Sequence, residues 1–327
     1  MNGRSVVKGA TATAGIVGGV VGAAWATQRL AARRIRQRPD DDAKRSLEEP
    51  IYVDEMLPTH DGGTLYVVED GTGPAVVLSH GVTLSVRTWF HQLELLPKEG
   101  LRAIAFDHRG HGQSVLGDDG YSIDNLATDL KTLIEALDLR DVVLVGHSLG
   151  GVAVQAFFLQ FPDLARERVK GIVLLSTLAK APLGSQSTRY KARIERIFKR
   201  VPDTTRFWAS PNFGLAVARL GFGTDPKPSH VELVRRMMAA CSHDTRVHAP
   251  RMLVGLDLTD SLPKIDVPTL VIGGTADIVT PPAEAERMAA LIPNAQLVLL
   301  DGGGHMLMLE QAEEVSALIA GFTRQLG

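Results

Sequence analysis

The sequence predicts an α/β fold: a mostly parallel sheet flanked by helices, with a helical cap inserted between two of its strands. Three observations carry the expectation. From Ile51 onward, short β-rich runs alternate with helical stretches, and such alternation builds a parallel sheet covered on both faces. Runs such as Ala75–Ser79 (AVVLS) and Asp141–Val145 (DVVLV) are close to continuously apolar, as central buried strands are. Between about Ala181 and Asp257 the rhythm stops and the chain turns helical in flavour.

The elements follow in order. Ile51–Leu57 and Thr64–Glu69 read as antiparallel strands joined by the turn Asp61-Gly62-Gly63. Next come the strand Ala75–Ser79, a helix through Gln92–Lys98 and the strand Arg102–Phe106. Ser122–Leu137 has helical spacing at Ile123, Leu126, Leu130, Leu133, Ile134 and Leu137. The strand Asp141–Val145, the helix Val152–Phe161 and the strand Lys170–Leu175 complete the first part. In the insertion, Lys191–Arg200 and Val231–Ala240 read as helices, and Phe207, Trp208, Phe213, Phe222, Met237 and Met238 supply its apolar residues. Most of these form the insertion's own core and a few line a substrate pocket. The strands Thr269–Ile272 and Gln296–Leu300 and the helices Ala283–Leu291 and Glu310–Gln325 close the chain. The expected division is 1–47 as an N-terminal hydrophobic segment and linker, 48–180 with 258–327 as the core, and 181–257 as the cap.

Composition narrows the function. A chain of 327 residues is long enough for one large α/β domain with an insertion. A net charge of −2 argues against a general nucleic-acid binder. The single cysteine, Cys241, can form neither an internal disulfide nor a cysteine-based metal site. Residues 9–27 carry no charge and lie between Arg4 and Lys8 on one side and Arg29, Arg33, Arg34, Arg36 and Arg38 on the other. A spanning helix needs about 20 apolar residues, so three readings stay open. The segment is a single membrane anchor with a cytoplasmic catalytic domain, a secretory signal peptide with Ala24-Trp25-Ala26 as cleavage site, or an amphipathic or disordered leader. Arg38-Pro39-Asp40-Asp41-Asp42 reads as a polar linker.

The motif with the most chemistry is Gly146-His147-Ser148-Leu149-Gly150-Gly151, between a strand and a helix. A G-x-S-x-G turn in that setting lifts its serine above the sheet on a strained backbone. The N–H of Leu149, at the helix N-terminus, is then available to a developing oxyanion. A serine hydroxyl needs a base, and the base needs an orienting acid. His305 follows three glycines directly after the last strand, and Asp277 lies in the loop past Thr269–Ile272, where sites in such sheets gather. Asp301, Asp257 and Asp260 are rivals for the acid. The N–H of Val82, after His80-Gly81, is the expected second oxyanion donor, with Gly81 allowing close approach to the nucleophile. His80 is expected to be structural, His147 to shape the elbow, and the loop Asp107–Ser114 to be held by internal hydrogen bonds with Asp107 and Arg109 as structural partners. His108 and His111 lack the company of a metal-ligand set, and neither metal nor cofactor is expected. His60, His91, His230, His243 and His248 receive no role.

Together, His80-Gly81, the Asp107-to-Ser114 loop, GHSLGG and the late Asp277 and His305 resemble the α/β-hydrolase superfamily. The resemblance covers about residues 50 to 327 and implies an eight-stranded, mostly parallel sheet with a cap after the sixth strand. It implies a Ser148–His305–Asp277 triad acting on small-molecule or lipid esters. Membrane-anchored monoacylglycerol lipases are similar in both leader and layout. Ser148 departs from the aspartate nucleophile of haloalkane dehalogenases and epoxide hydrolases. Acyl transfer, perhydrolase or haloperoxidase chemistry and C–C bond hydrolysis keep a serine and stay open, as does a non-catalytic ligand-binding receptor.

Overall fold

A computed structural model describes residues 29–30, 32–48, 52–181 and 205–327. The leader readings for residues 9–27 and the helix expected at Lys191–Arg200 lie outside the described residues. Among the described residues no helix is long and apolar enough to cross a membrane.

Eight strands form one sheet: β1 (Val53–Pro58), β2 (Thr64–Asp70), β3 (Ala75–Ser79), β4 (Arg102–Phe106), β5 (Val142–His147), β6 (Val169–Leu175), β7 (Thr269–Gly274) and β8 (Ala295–Leu300). Their order is β1-β2-β4-β3-β5-β6-β7-β8. β1 and β2 pair antiparallel, β2 runs antiparallel to β4, and every later pairing is parallel. Strand side chains alternate between faces, and both faces are covered. Val76, Leu78, Val143, Val145, Val173 and Leu175 join one buried cluster with Leu93 and Leu96 of the helix Phe90–Lys98 and Ile319 of the helix Ala312–Gln325. Val77, Ile104, Leu144, Ile172 and Leu174 join the other with Leu130 of the helix Ile123–Ala136, Phe157 of the helix Leu149–Gln160 and Met288 of the helix Pro282–Leu291. Burial on both sides is why these strands read as unbroken apolar runs.

The elements differ from the sequence expectations mainly at their ends. Ser122 caps the helix Ile123–Ala136, its hydroxyl accepting from the Asn125 N–H at 3.0 Å. A second short helix, Pro162–Arg168, starts at a proline, which suits a first helical position but gives too short a pattern to read. The expected helix Glu310–Gln325 breaks at Gln311, whose φ of −132° and ψ of 54° are not helical, leaving Leu307–Glu310 as a separate turn.

The chain leaves the sheet after β6 and returns at β7. Lys180 and Asp257 pair as an isolated antiparallel bridge, with their side chains 2.7 Å apart. The described part of the insertion contains Thr205–Ala209, Phe213–Ala218, Pro228–Ala240 and His243–His248. Phe222 and Met237 are buried within the core cluster, whereas Phe207 is exposed.

The polar stretch Arg38–Asp42 is packed against the insertion rather than acting as a free linker. Arg36 donates to the Pro211 carbonyl at 2.7 Å and Arg38 to Asp225 at 2.7 Å. Asp40 accepts from the Ser229 N–H at 2.6 Å. Ala32 and Ile35 are buried beneath them. Each charge here has a fixed partner across the chain, which sequence pattern cannot reveal.

Candidate active site

β5 ends at His147 and the next helix starts at Leu149, so the whole reversal falls on Ser148. Its φ of 51° and ψ of −117° are strained for a residue with a side chain. The turn closes only because its flanks are small. A Cβ on Gly150 would stand 2.2 Å from the Ser79 carbonyl oxygen, and one on Gly146 2.5 Å from that of Gly150. Ser148 stays partly exposed while its neighbours are buried. Its Oγ hydrogen-bonds no other described residue; bonds from nucleophile to base often close only when substrate binds.

The structure joins Asp277 to His305 through the Asp277 Oδ2–His305 Nδ1 hydrogen bond of 2.9 Å. Both side chains are buried. Thr280 completes the pair: its hydroxyl donates to Asp277 Oδ2 at 2.6 Å and lies 3.1 Å from His305 Nδ1. Asp277 Oδ1 accepts the N–H groups of Val279 and Thr280 at 2.8 and 2.9 Å. Burial alone would raise the Asp277 pKa. The hydrogen bond and charge of His305, with Thr280, outweigh it and hold the carboxyl below its ordinary value. The rival acids stand elsewhere: Asp257 pairs with Lys180, Asp301 accepts from the Thr275 hydroxyl at 3.1 Å, and Asp260 is exposed.

His147 ties the elbow to the histidine loop. Its Nε2–H donates to the His305 carbonyl at 2.9 Å, and the two rings lie 4.7 Å apart. Complete burial, then the charge of His305, pushes its pKa well below the usual histidine value. The N–H groups of Val82 and Leu149 donate to no described residue. Leu149 opens a helix of 12 residues, whose dipole favours negative charge there. A Cβ on Gly81 would lie 3.1 Å from that of Ser148, a tight contact, so the missing side chain eases the close approach of this loop to the elbow.

Glu310 is a member of the surroundings that pattern gave no reason to select. Oε1 accepts the N–H groups of Gly304 and Met306 at 3.1 and 3.2 Å, one on each side of His305. Oε2 accepts the N–H of Gly223 in the insertion at 2.6 Å. Burial raises its pKa to about 7 despite these three donors. Thr280 left no signal of its own, because the turn at Asp277 bonds backbone N–H groups that any residue but proline supplies.

The second loop with a chemical look is held by bonds to the rest of the fold, although His108 Nδ1 and His111 Nε2 have no hydrogen-bond partner among the described residues. His80 donates from Nδ1 to the Gly81 carbonyl at 2.7 Å and accepts the His108 N–H at Nε2 at 3.0 Å. His108 Nε2 lies 3.0 Å from the His80 carbonyl, and His111 Nδ1 3.0 Å from that of Arg109. Burial pushes His108 to about 3 and His111 to about 4, so both are neutral at physiological pH. Asp107 and Arg109 are structural, but not with each other. Asp107 accepts the N–H groups of Val86 and Gln113 at 2.7 and 2.8 Å, and burial raises it to about 7. Arg109 forks onto Asp129 with two bonds of 2.7 Å and reaches Asp61 at 2.9 Å. Cys241 is buried, and burial pushes its thiol up to about 11, which leaves it unreactive.

A cavity of about 350 Å³ lies between the helix Pro228–Ala240 and the core, lined by Leu233 and Met237 on one side and Leu84, Val86 and Asp107 on the other; Ser148 is not part of its lining. Among the described residues two groups of donors lie close enough to hold a metal: Asp42 with His91 and His230, and His60 with Asp61 and Asp119. Neither includes Ser148, Asp277 or His305.

Comparison with known proteins agrees with this architecture. Residues 74–312 match the model of the alpha/beta hydrolase fold family. The non-heme chloroperoxidase CPO-A1 of Kitasatospora aureofaciens is 32% identical over 255 residues, covering 76% of this chain and 90% of that protein. An esterase from Thermogutta terrifontis superposes with a TM-score of 0.71 at 30% identity, covering 85% of this chain and 99% of its own. The esterase EaEST from Exiguobacterium antarcticum gives a TM-score of 0.71 at 26% identity, over 82% and 98%.

Proposed function

This chain belongs to the alpha/beta hydrolase fold family, and from that premise we propose that it is a serine hydrolase of carboxylic esters. Ser148 is the nucleophile, His305 the general base and Asp277 the acid that orients it. The observation that carries this reading is the buried 2.9 Å bond between Asp277 and His305, in a loop joined through His147 to the strained turn that bears Ser148. Two relatives in fold are esterases by name.

His305 takes the proton of Ser148 as its oxygen adds to the ester carbonyl. The N–H groups of Val82 and Leu149 hold the oxyanion. His305 returns the proton to the leaving alcohol, and the acyl group stays on Ser148. Water, deprotonated by the same imidazole, then releases the acid. Asp277 remains ionised throughout and stabilises the imidazolium. The segment 181–257 acts as the cap that selects the acyl chain. Lipid esters fit the apolar leader, and a panel of esters of rising chain length tests that choice. Labelling by a fluorophosphonate probe tests the site: the wild type labels and Ser148→Ala does not. Labelling that survives the substitution removes Ser148 from its role.

A second reading rests on the chloroperoxidase relative. Hydrogen peroxide in place of water would accept the acyl group from Ser148, giving a peracid that oxidises halide. Halogenation that depends on a carboxylic acid, peroxide and Ser148 would establish it; halogenation that persists in Ser148→Ala would dismiss it.

A further inference from the structure

Outside the group of Ser148, Asp277 and His305, three buried side chains from distant parts of the chain meet. Asp42 comes from the stretch before the first strand, His91 from the core helix Phe90–Lys98, and His230 from the insertion's helix Pro228–Ala240. All three are more than nine-tenths buried. Asp42 Oδ2 lies 2.7 Å from His230 Nε2 and 3.0 Å from His91 Nε2, and the three ligand atoms all fall within 4.8 Å of one another.

Hydrogen bonding alone does not satisfy this cluster. His230 forms a bond to Asp42, and His91 Nε2 faces the same carboxylate oxygen at 3.0 Å without hydrogen-bond geometry, while Nδ1 of both buried rings has no hydrogen-bond partner among the described residues. Buried polar atoms are rarely left so. The rings are held by packing: Phe90 lies 3.9 Å from His91, and the two imidazoles are 5.4 Å apart. The neighbouring cations are engaged elsewhere. Lys227 pairs with Asp41 at 2.9 Å, and Arg45 pairs with Glu94 while standing 3.9 Å from the far oxygen of Asp42.

We propose that Asp42, His91 and His230 form a binding site for a divalent transition-metal ion of the zinc type, which fastens the N-terminal stretch and the insertion to the core. Two imidazole nitrogens and one carboxylate oxygen are the donors such ions take in sites that keep a position open, whereas calcium and magnesium require oxygen ligands. An ion about 2.0–2.2 Å from each donor sets neighbouring donors about 3.3 Å apart in tetrahedral geometry. The carboxylate oxygen then withdraws about 0.3 Å from His91 and about 0.6 Å from His230. The Nε2 atom of His91 then has a partner in the ion. The group His60, Asp61 and Asp119 is no rival, since Asp61 already holds Arg109.

The test uses the untagged full chain, stripped with a chelator and titrated calorimetrically with Zn²⁺ alone. One equivalent should bind and raise the melting temperature. Loss of an outer partner of a metal ligand already costs 10–100-fold, so His91→Gln and His230→Gln should each weaken binding by roughly 100-fold or more. Replacing the exposed His60 by Gln should change nothing. Co²⁺ supplies a readout independent of the variants: bound to the wild type, it should give the intense visible absorption of a low-coordinate nitrogen and oxygen site, displaced by one equivalent of Zn²⁺. No stoichiometric binding, binding undiminished in the His91→Gln/His230→Gln double variant, or Co²⁺ bound without those bands would each overturn the proposal.

Discussion

Two loops at the edge of the sheet are rich in aspartate, histidine and glycine, and they have opposite fates. Between Asp107 and Ser114 the charged groups have fixed partners: Arg109 grips two carboxylates, Asp107 holds two backbone N–H groups, and the Ser114 hydroxyl donates to the Asp107 carbonyl at 2.6 Å. Around Ser148 the groups are left open. The serine hydroxyl and the N–H groups of Val82 and Leu149 have no partner among the described residues, while Asp277 and Thr280 fix the histidine behind them. Charges paired within the fold stabilise it, and groups that are supported but left open can act on a substrate.

The sharpest way to break this comparison is Ser148→Ala. Esterase activity should fall by about 10⁶-fold, as for other triad nucleophiles, with the thermal midpoint unchanged. A comparable loss of stability would place the serine with the structural loop. Asp277→Asn should cost about 10⁴-fold by presenting the wrong tautomer of His305 while leaving the fold intact. Steady-state rates alongside circular dichroism measure both halves of that claim.

Arg109→Leu should act in the opposite direction. It strands the buried Asp129 and Asp61 without their cation, and breaking such a group costs about 3–5 kcal/mol. Denaturant unfolding reads the loss, and kcat per folded molecule should hold. A large fall in kcat at unchanged stability would move this loop into the reaction.

The smallest effect tests the bridge between site and insertion. Glu310 is raised from 4.5 to about 7, so between those values the unfolded chain loses its proton first and the native state binds more. Stability from this group is therefore full below pH about 4.5 and is lost as pH rises through about 7, by roughly 1–3 kcal/mol. Asp107, raised from 3.8 to about 7, adds its own share of the same sign. Glu310→Gln should remove only the first share, so the pH dependence of unfolding should flatten relative to the wild type between 4.5 and 7. Identical profiles would deny that Glu310 titrates as its burial requires.

Much of this was legible in residue pattern. The apolar runs of β3 and β5 announced a sheet buried on both faces. Gly146 and Gly150 around Ser148 announced a turn too tight for a Cβ. Three glycines before His305 marked a loop end. Pattern also set aside His80 and the Asp107 loop as structural, though it paired Asp107 with Arg109 where each has partners of its own. Glu310 was illegible, because its role comes from a helix broken at Gln311 that turns its side chain back on His305. Arg38–Asp42 read as a linker because nothing local says that Ser229 and His230 wait for its carboxylates.

The sequence by itself determined the order of elements, the site of the strained turn and the residue types brought to it, since those depend on side-chain periodicity and steric limits within a few residues. Only the tertiary structure decided which carboxylate meets which cation, which N–H groups stay open and that Asp42, His91 and His230 converge. Those contacts join residues far apart along the chain, and the strength of each depends on burial, which local pattern does not encode.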